Sequence, residues 1–110
     1  MTRILSTLII VAGFGVTLTA SASGDAGRGA EKAKTVCAAC HGAHGESAGP
    51  DFPKLAGEPE DYLETVLHHY KGGVRRKNPI MMGMASTLSD QDIADVAAFF
   101  SSQKGVYTKY

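Results

Sequence analysis

Tryptophan is absent from these 110 residues, and all aromatic side chains together make up 7% of them. A chain this poor in large rings has little with which to fill a wide core, so an apolar body other than side chains is expected near its middle. Excess charge of either sign is missing too: eleven Lys and Arg stand against eleven Asp and Glu. That balance argues against a nucleic-acid partner, which calls for a strongly basic face. Strand-like runs of β-branched residues do not occur after residue 22, so neither a sheet nor the βαβ setting of a redox dithiol is expected. Cysteine is nearly absent, yet both copies fall within "TVCAACHGAHG", beside two of the four histidines.

The one long apolar run lies at the start. Arg3 precedes a stretch from Ile4 to about Leu18, and Ala20, Ser21 and Ala22 then fit an A-x-A cleavage site. The run is shorter than the ~20 residues of a spanning helix, and Gly13 and Gly15 interrupt it. Residues 1–22 are therefore expected to be a cleaved signal peptide, and residues 23–110 a single exported domain, not an integral membrane protein once processed. That remainder has ten basic against eleven acidic residues. At this size the core is modest, and a cofactor or covalent staple often supplements it.

Three chemistries compete for Cys37 and Cys40: a dithiol, half of a zinc site, or two anchors for haem. A disulfide across two intervening residues closes too small a loop to stabilise much. Zinc could recruit His44 and one of His68 and His69, but the usual C-x-x-C…H-x-x-x-H spacing is not there. Haem accounts for more of the stretch. In C-x-x-C-H, positions 37, 40 and 41 are i, i+3 and i+4, and share one face of a helical turn. Two sulfurs there can bond the vinyl groups of a porphyrin while His41 reaches its iron, and Gly42 lets the chain turn away. One covalently bound haem c is the cofactor expected.

Helical periodicity organises the rest. A first helix is expected over about Gly24–Ala39, weakened at its start by Gly27 and Gly29; Gly29 is expected to admit another helix closely. The segment 42–57, "GAHGESAGPDFPKLAG", reads as a long loop wrapping one face of the haem, with Phe52 and Leu55 against the ring. A second helix starts near Glu58, with Pro59 at its first position and a stripe of Tyr62, Leu63, Val66, Leu67 and Tyr70, and it ends at Gly72 and Gly73. His68 and His69 near its end read as solvated or partly packed residues. The third helix has the fullest signals: Ser89 as N-cap, Asp92 at the capping-box position, and Ile93, Val96, Ala97 and Phe100 on one face. The fold class is all-α, with three main helices and a short fourth around Pro50–Ala56.

"NPIMMGMASTLSDQD" holds Met81, Met82 and Met84, every methionine after Met1. Methionine usually fills gaps in cores. Three within four residues, read as a loop between helices, point instead to a thioether ligand for the sixth position of iron. Pro79 stiffens that approach, and Asn78 before it should be extended.

Together these stretches resemble the small class I c-type cytochromes of bacteria, from "GRGAEKAKTVCAACHG" to "LSDQDIADVAAFF". The resemblance implies the class I cytochrome c fold around one covalently attached haem. It implies that Gly29 packs against Phe99, and that the Pro50 carbonyl receives the second ring N–H of His41. It also implies that the axial methionine stands seven residues before Leu88, which is Met81; Met82 and Met84 are alternates, with Met84 the packing residue. Ala33, where some relatives carry an aromatic, departs from the pattern.

A haem with both axial positions taken by protein has no vacant site for substrate. The expected function is a periplasmic carrier of single electrons, not itself an enzyme, that meets redox proteins transiently through a small interface. Lys71, Arg75, Arg76 and Lys77 offer a docking or propionate-pairing patch. Because "GPDFPKLAG" and "NPIMMGMAS" are also similar to the cytochrome subunit of flavocytochrome c sulfide dehydrogenases, a second reading makes the chain a subunit beside a flavoprotein. A third is a haem protein that binds ligands or peroxide where methionine is labile.

Overall fold

A computed structural model describes Ile10 and residues 12–15 and 23–105 of the chain. The expected leader lies almost wholly outside the described residues. Five helices follow in order: α1 Ala26–Val36, α2 Ala38–His41, α3 Glu60–Lys71, α4 Pro79–Ser86 and α5 Asp90–Ser101. No strand occurs among the described residues.

Helix α1 starts on a side-chain cap that offsets its two glycines. The Asp25 carboxylate accepts the Arg28 backbone N–H at 2.7 Å. The expected first helix is divided at Cys37, whose φ of −107° and ψ of −33° mark a bend between α1 and α2. Helix α3 begins one turn-position later than expected, with Pro59 as its cap residue and Glu60 and Asp61 in its first turn. Its stripe is only partly inward: Leu63 is buried, Val66, Leu67 and Tyr70 are half-buried, and Tyr62 is 49% exposed. The capping box of α5 forms in full, with the Ser89 hydroxyl accepting from Asp92 N–H and the Asp92 carboxylate accepting from Ser89 N–H, both at 3.0 Å.

Two expectations are corrected. The methionine segment is not a loop but helix α4: Asn78 is extended and accepts the Met81 N–H at 3.1 Å, and Pro79 occupies the first turn, where a missing N–H costs nothing. Residues 50–56 form turns rather than a short helix. Two prolines within four residues and the contacts of the loop with α2 hold them there instead.

Helix α1 lies across α5, α3 packs on α5, and α4 on α3. At the first crossing Gly29 touches backbone. A Cβ there would collide with the Asp95 carbonyl and come within 2.9 Å of the Phe99 Cβ. The expected partnership of Gly29 with Phe99 is therefore present. The core is Ala33, Leu63, Val96, Ala97, Phe99 and Phe100; the alanine at 33 lies within it, against helices that an aromatic would push apart. Among the described residues, Ile93 and Val96 are the largest side chains fully buried.

Asp95 is the one acid inside. Its carboxylate accepts from Arg28 Nε at 2.8 Å and Nη2 at 3.1 Å, from Gln91 Nε2 at 2.9 Å and from the Asp25 N–H at 2.7 Å. The Arg28 hydrogen bonds, aided by those of Asp25 and Gln91, hold its carboxyl far below the usual carboxylate range. A depressed folded-state pKa contributes stability above the unfolded value near ~4, lost as pH falls below it. In urea unfolding, wild type should therefore exceed Asp95→Asn in stability from pH 5 to 7. The gap should shrink steadily as pH falls below ~4.

Candidate haem site

The bend at Cys37 turns α2 so that its single turn carries Cys37, Cys40 and His41 on one face. The His41 N–H donates to the Cys37 carbonyl at 2.9 Å. Both cysteines are free thiols and half-buried. Burial pushes the Cys37 thiol up to about 11, the reverse of the lowered value a catalytic dithiol needs. Among the described residues no three His, Cys, Asp or Glu side chains gather to hold a metal ion, as a closed zinc site would require.

The His41 side chain is buried at 7% exposure, and its Nδ1 lies 2.7 Å from the Pro53 carbonyl oxygen. A carbonyl can only accept, so Nδ1 carries the proton and Nε2 keeps a free lone pair. The Phe52 ring meets the imidazole edge-on, with centroids 6.4 Å apart and planes at 63°. An imidazole oriented through one nitrogen and free at the other, on the same turn as two thiols, fits covalent haem.

The carbonyl at His41 is that of Pro53, not Pro50. Pro50 is exposed, on the outside of a turn closed by the Phe52 N–H on the Gly49 carbonyl at 3.1 Å. That turn puts three more residues between α2 and the acceptor. Leu55 is half-buried and packs on the core cluster, while Phe52 is 38% exposed beside the imidazole. Met81 and Met82 are half-buried; Met84, expected to pack, is the most exposed of the three at 44%. Met81 and Met82 stand four and three residues before Ala85, which is fully buried, so both lie toward the inward side of α4.

The loop between α2 and α3 is fastened at both ends. Ser47 and Ala48 N–H groups donate to the His41 and Cys40 carbonyls at 2.6 and 3.0 Å. The Gly45 carbonyl accepts from Leu55 and Ala56 at 2.8 and 3.1 Å. Gly42 and Gly45 adopt φ of 84° and 81°, where glycine is favoured. Sequence reasoning missed Pro53 and Ser47. The resemblance pointed to Pro50, the first of the two prolines, whereas the second accepts from His41, and nothing in a serine marks a left-handed turn.

Residues 26–104 match the family described as Cytochrome c. The chain belongs to the cytochrome c family. It is 49% identical over 104 residues to cytochrome c4 of Pseudomonas aeruginosa, covering 94% of this chain and 50% of that protein. With cytochrome c-554(548) of Halomonas halodenitrificans it shares 44% identity over 84 residues, 74% of this chain and all of that one. The crystal structure of reduced recombinant cytochrome c4 from Pseudomonas stutzeri superposes with a TM-score of 0.68 at 50% identity, covering 76% of this chain and 47% of that one. The chain thus spans about half the length of the cytochrome c4 proteins it matches. The fold is that of a small class I c-type cytochrome. Family membership implies covalently bound haem c, and Cys37, Cys40 and His41 fit its C-x-x-C-H motif. No helix among the described residues is long and apolar enough to cross a membrane.

In this cytochrome a Cβ on Gly45 would lie 2.7 Å from the Ala56 nitrogen and 2.8 Å from Phe100 Cδ1, at a left-handed φ. Gly45→Ala should cost roughly 2–5 kcal/mol, the left-handed penalty plus overpacking. Thermal unfolding of the haem-loaded protein measures it.

Proposed function

We propose that this cytochrome carries single electrons between redox proteins of the periplasm, with one haem on this segment. Cys37 and Cys40 would tether it by thioethers, with His41 and Met81 as axial ligands and Phe52 beside the ring. When bound, haem c supplies a one-electron ferrous–ferric couple. The reading rests on the 2.7 Å contact of His41 Nδ1 with the Pro53 oxygen, which leaves Nε2 free on the turn that carries both thiols. The protein's own part is to hold that imidazole still and keep water from it: His41 is buried, and its proton is committed to a carbonyl. Export rests on residues 1–22, whose single charge, apolar run and A-x-A site have the order of a secretory leader.

Met81 is favoured because the class I pattern places the axial methionine seven residues before Leu88; Met82 is half-buried as Met81 is, whereas Met84 is the most exposed of the three. The Met81→Ala protein should lose the low-spin spectrum of wild type. Its potential should fall by on the order of 100 mV, within the ~0.8 V that axial ligands set across haem proteins. Optical redox titration decides it; an unchanged spectrum and potential would pass the role to a neighbouring methionine.

A second reading, an acceptor dedicated to one dehydrogenase, is supported by the thiosulfate dehydrogenase electron acceptor of Stutzerimonas stutzeri, 37% identical over 60% of this chain. Either way the basic turn between α3 and α4 suits an anionic surface. Arg75, Arg76 and Lys77 are exposed and pair with no carboxylate among the described residues. With Tyr70, Val74 and Asn78 they line an open cleft of about 380 Å³, the Arg75 guanidinium 5.7 Å from the Tyr70 ring centroid. Reversing two charges, Arg75→Glu with Arg76→Glu, should slow oxidation by ferricyanide, an anion, roughly tenfold at low salt. The difference should fade as ionic strength rises, and stopped-flow with a cationic cobalt oxidant should show no such loss.

A further inference from the structure

We propose that Ser47 is a positioning residue for the haem iron: it aims the Pro53 carbonyl at His41 Nδ1 and so sets how strongly that imidazole donates to the metal. The inference rests on the reading of His41 as an axial ligand. Ser47 has a φ of 78° and is the one non-glycine residue with positive φ among the described residues. Serine gains nothing intrinsic from that conformation, so surrounding contacts must enforce it. Two of those contacts lead to the imidazole. The Ser47 N–H donates to the carbonyl of His41 itself at 2.6 Å. Its hydroxyl, half-buried, lies 2.6 Å from both the Gly49 and Phe52 carbonyl oxygens, sharing one proton between them, and accepts the Gly49 N–H at 3.3 Å.

The Phe52 carbonyl belongs to the peptide plane that enters Pro53. Holding that oxygen fixes the plane, and the pyrrolidine ring fixes the next φ. Only one torsion, ψ of Pro53, is then left to direct its own carbonyl, which sits 2.7 Å from His41 Nδ1. Three links close a ring: His41 carbonyl to Ser47 N–H, Ser47 hydroxyl to Phe52 carbonyl, and Pro53 carbonyl to His41 Nδ1–H. A strong acceptor at Nδ1 makes the imidazole a better donor and favours the ferric state; loosening it favours the ferrous state.

Two variants of the haem-loaded protein separate hydroxyl from backbone. Ser47→Ala removes the hydroxyl and keeps the left-handed strain; Ser47→Gly removes both. Both should raise the reduction potential, and to similar extents, while Ser47→Gly is the more thermally stable of the two. The His41 Nδ1–H of the ferrous protein, followed by NMR, should exchange with solvent on the order of tenfold faster in each. Wild-type potential and ring N–H exchange in both variants would overturn the proposal, as would a wild-type potential in Ser47→Gly alone, which would leave only strain. A wild-type protein that carries no histidine-ligated haem would overturn instead the reading on which it rests.

Discussion

Helix α1 can lie on α5 at backbone distance because residue 29 carries no side chain, and almost everything else is placed relative to that crossing. Any Cβ there would enter the Asp95 carbonyl. Around the contact, the Asp95 carboxylate gathers donors from Arg28, Gln91 and the Asp25 backbone, so the apolar crossing is locked by a polar clasp at one end. The clasp fixes the rotation of α1 on its partner. It thereby fixes the direction in which the chain leaves α1 at Cys37 and the face that α2 presents. A site that needs two sulfurs and an imidazole on one side is built at the end of the best-anchored helix.

The interior that remains is small. Among the described residues two large side chains are fully enclosed, and alanines fill much of the rest. Phe52, beside His41, and Met81 and Met82, on α4, stay half-covered or exposed. This is the arrangement of a shell with an apolar guest, and it agrees with a family whose haem is bonded to the chain. The protein economises on aromatic residues because a porphyrin supplies the flat apolar bulk. The loop from Gly42 to Gly57 makes up for its lack of helix by using its own N–H groups on the open carbonyls of α2, so both ends are satisfied where they meet.

Several signals were legible where the deciding interaction spans four residues or fewer. The C-x-x-C-H face, the Ser89–Asp92 box and the stop at Gly72 and Gly73 all appear where the pattern put them. Helix α4 opens on the ordinary start signals Asn78 and Pro79, but its eight residues are too few for a 3.6-residue stripe to tell helix from loop. The first helix looked continuous because nothing in "KTVCAAC" announces a bend.

Sequence alone determined the cofactor chemistry, the all-α class and the glycine that permits the crossing, since each depends on residue type at short spacing. Only tertiary structure decided which of two prolines faces His41, that Met84 is the most exposed of the three methionines, and that a serine takes a left-handed turn to hold the loop. Those choices are matters of register between segments distant along the chain. The hydrogen bonds and packing that select one register exist only once the helices have met.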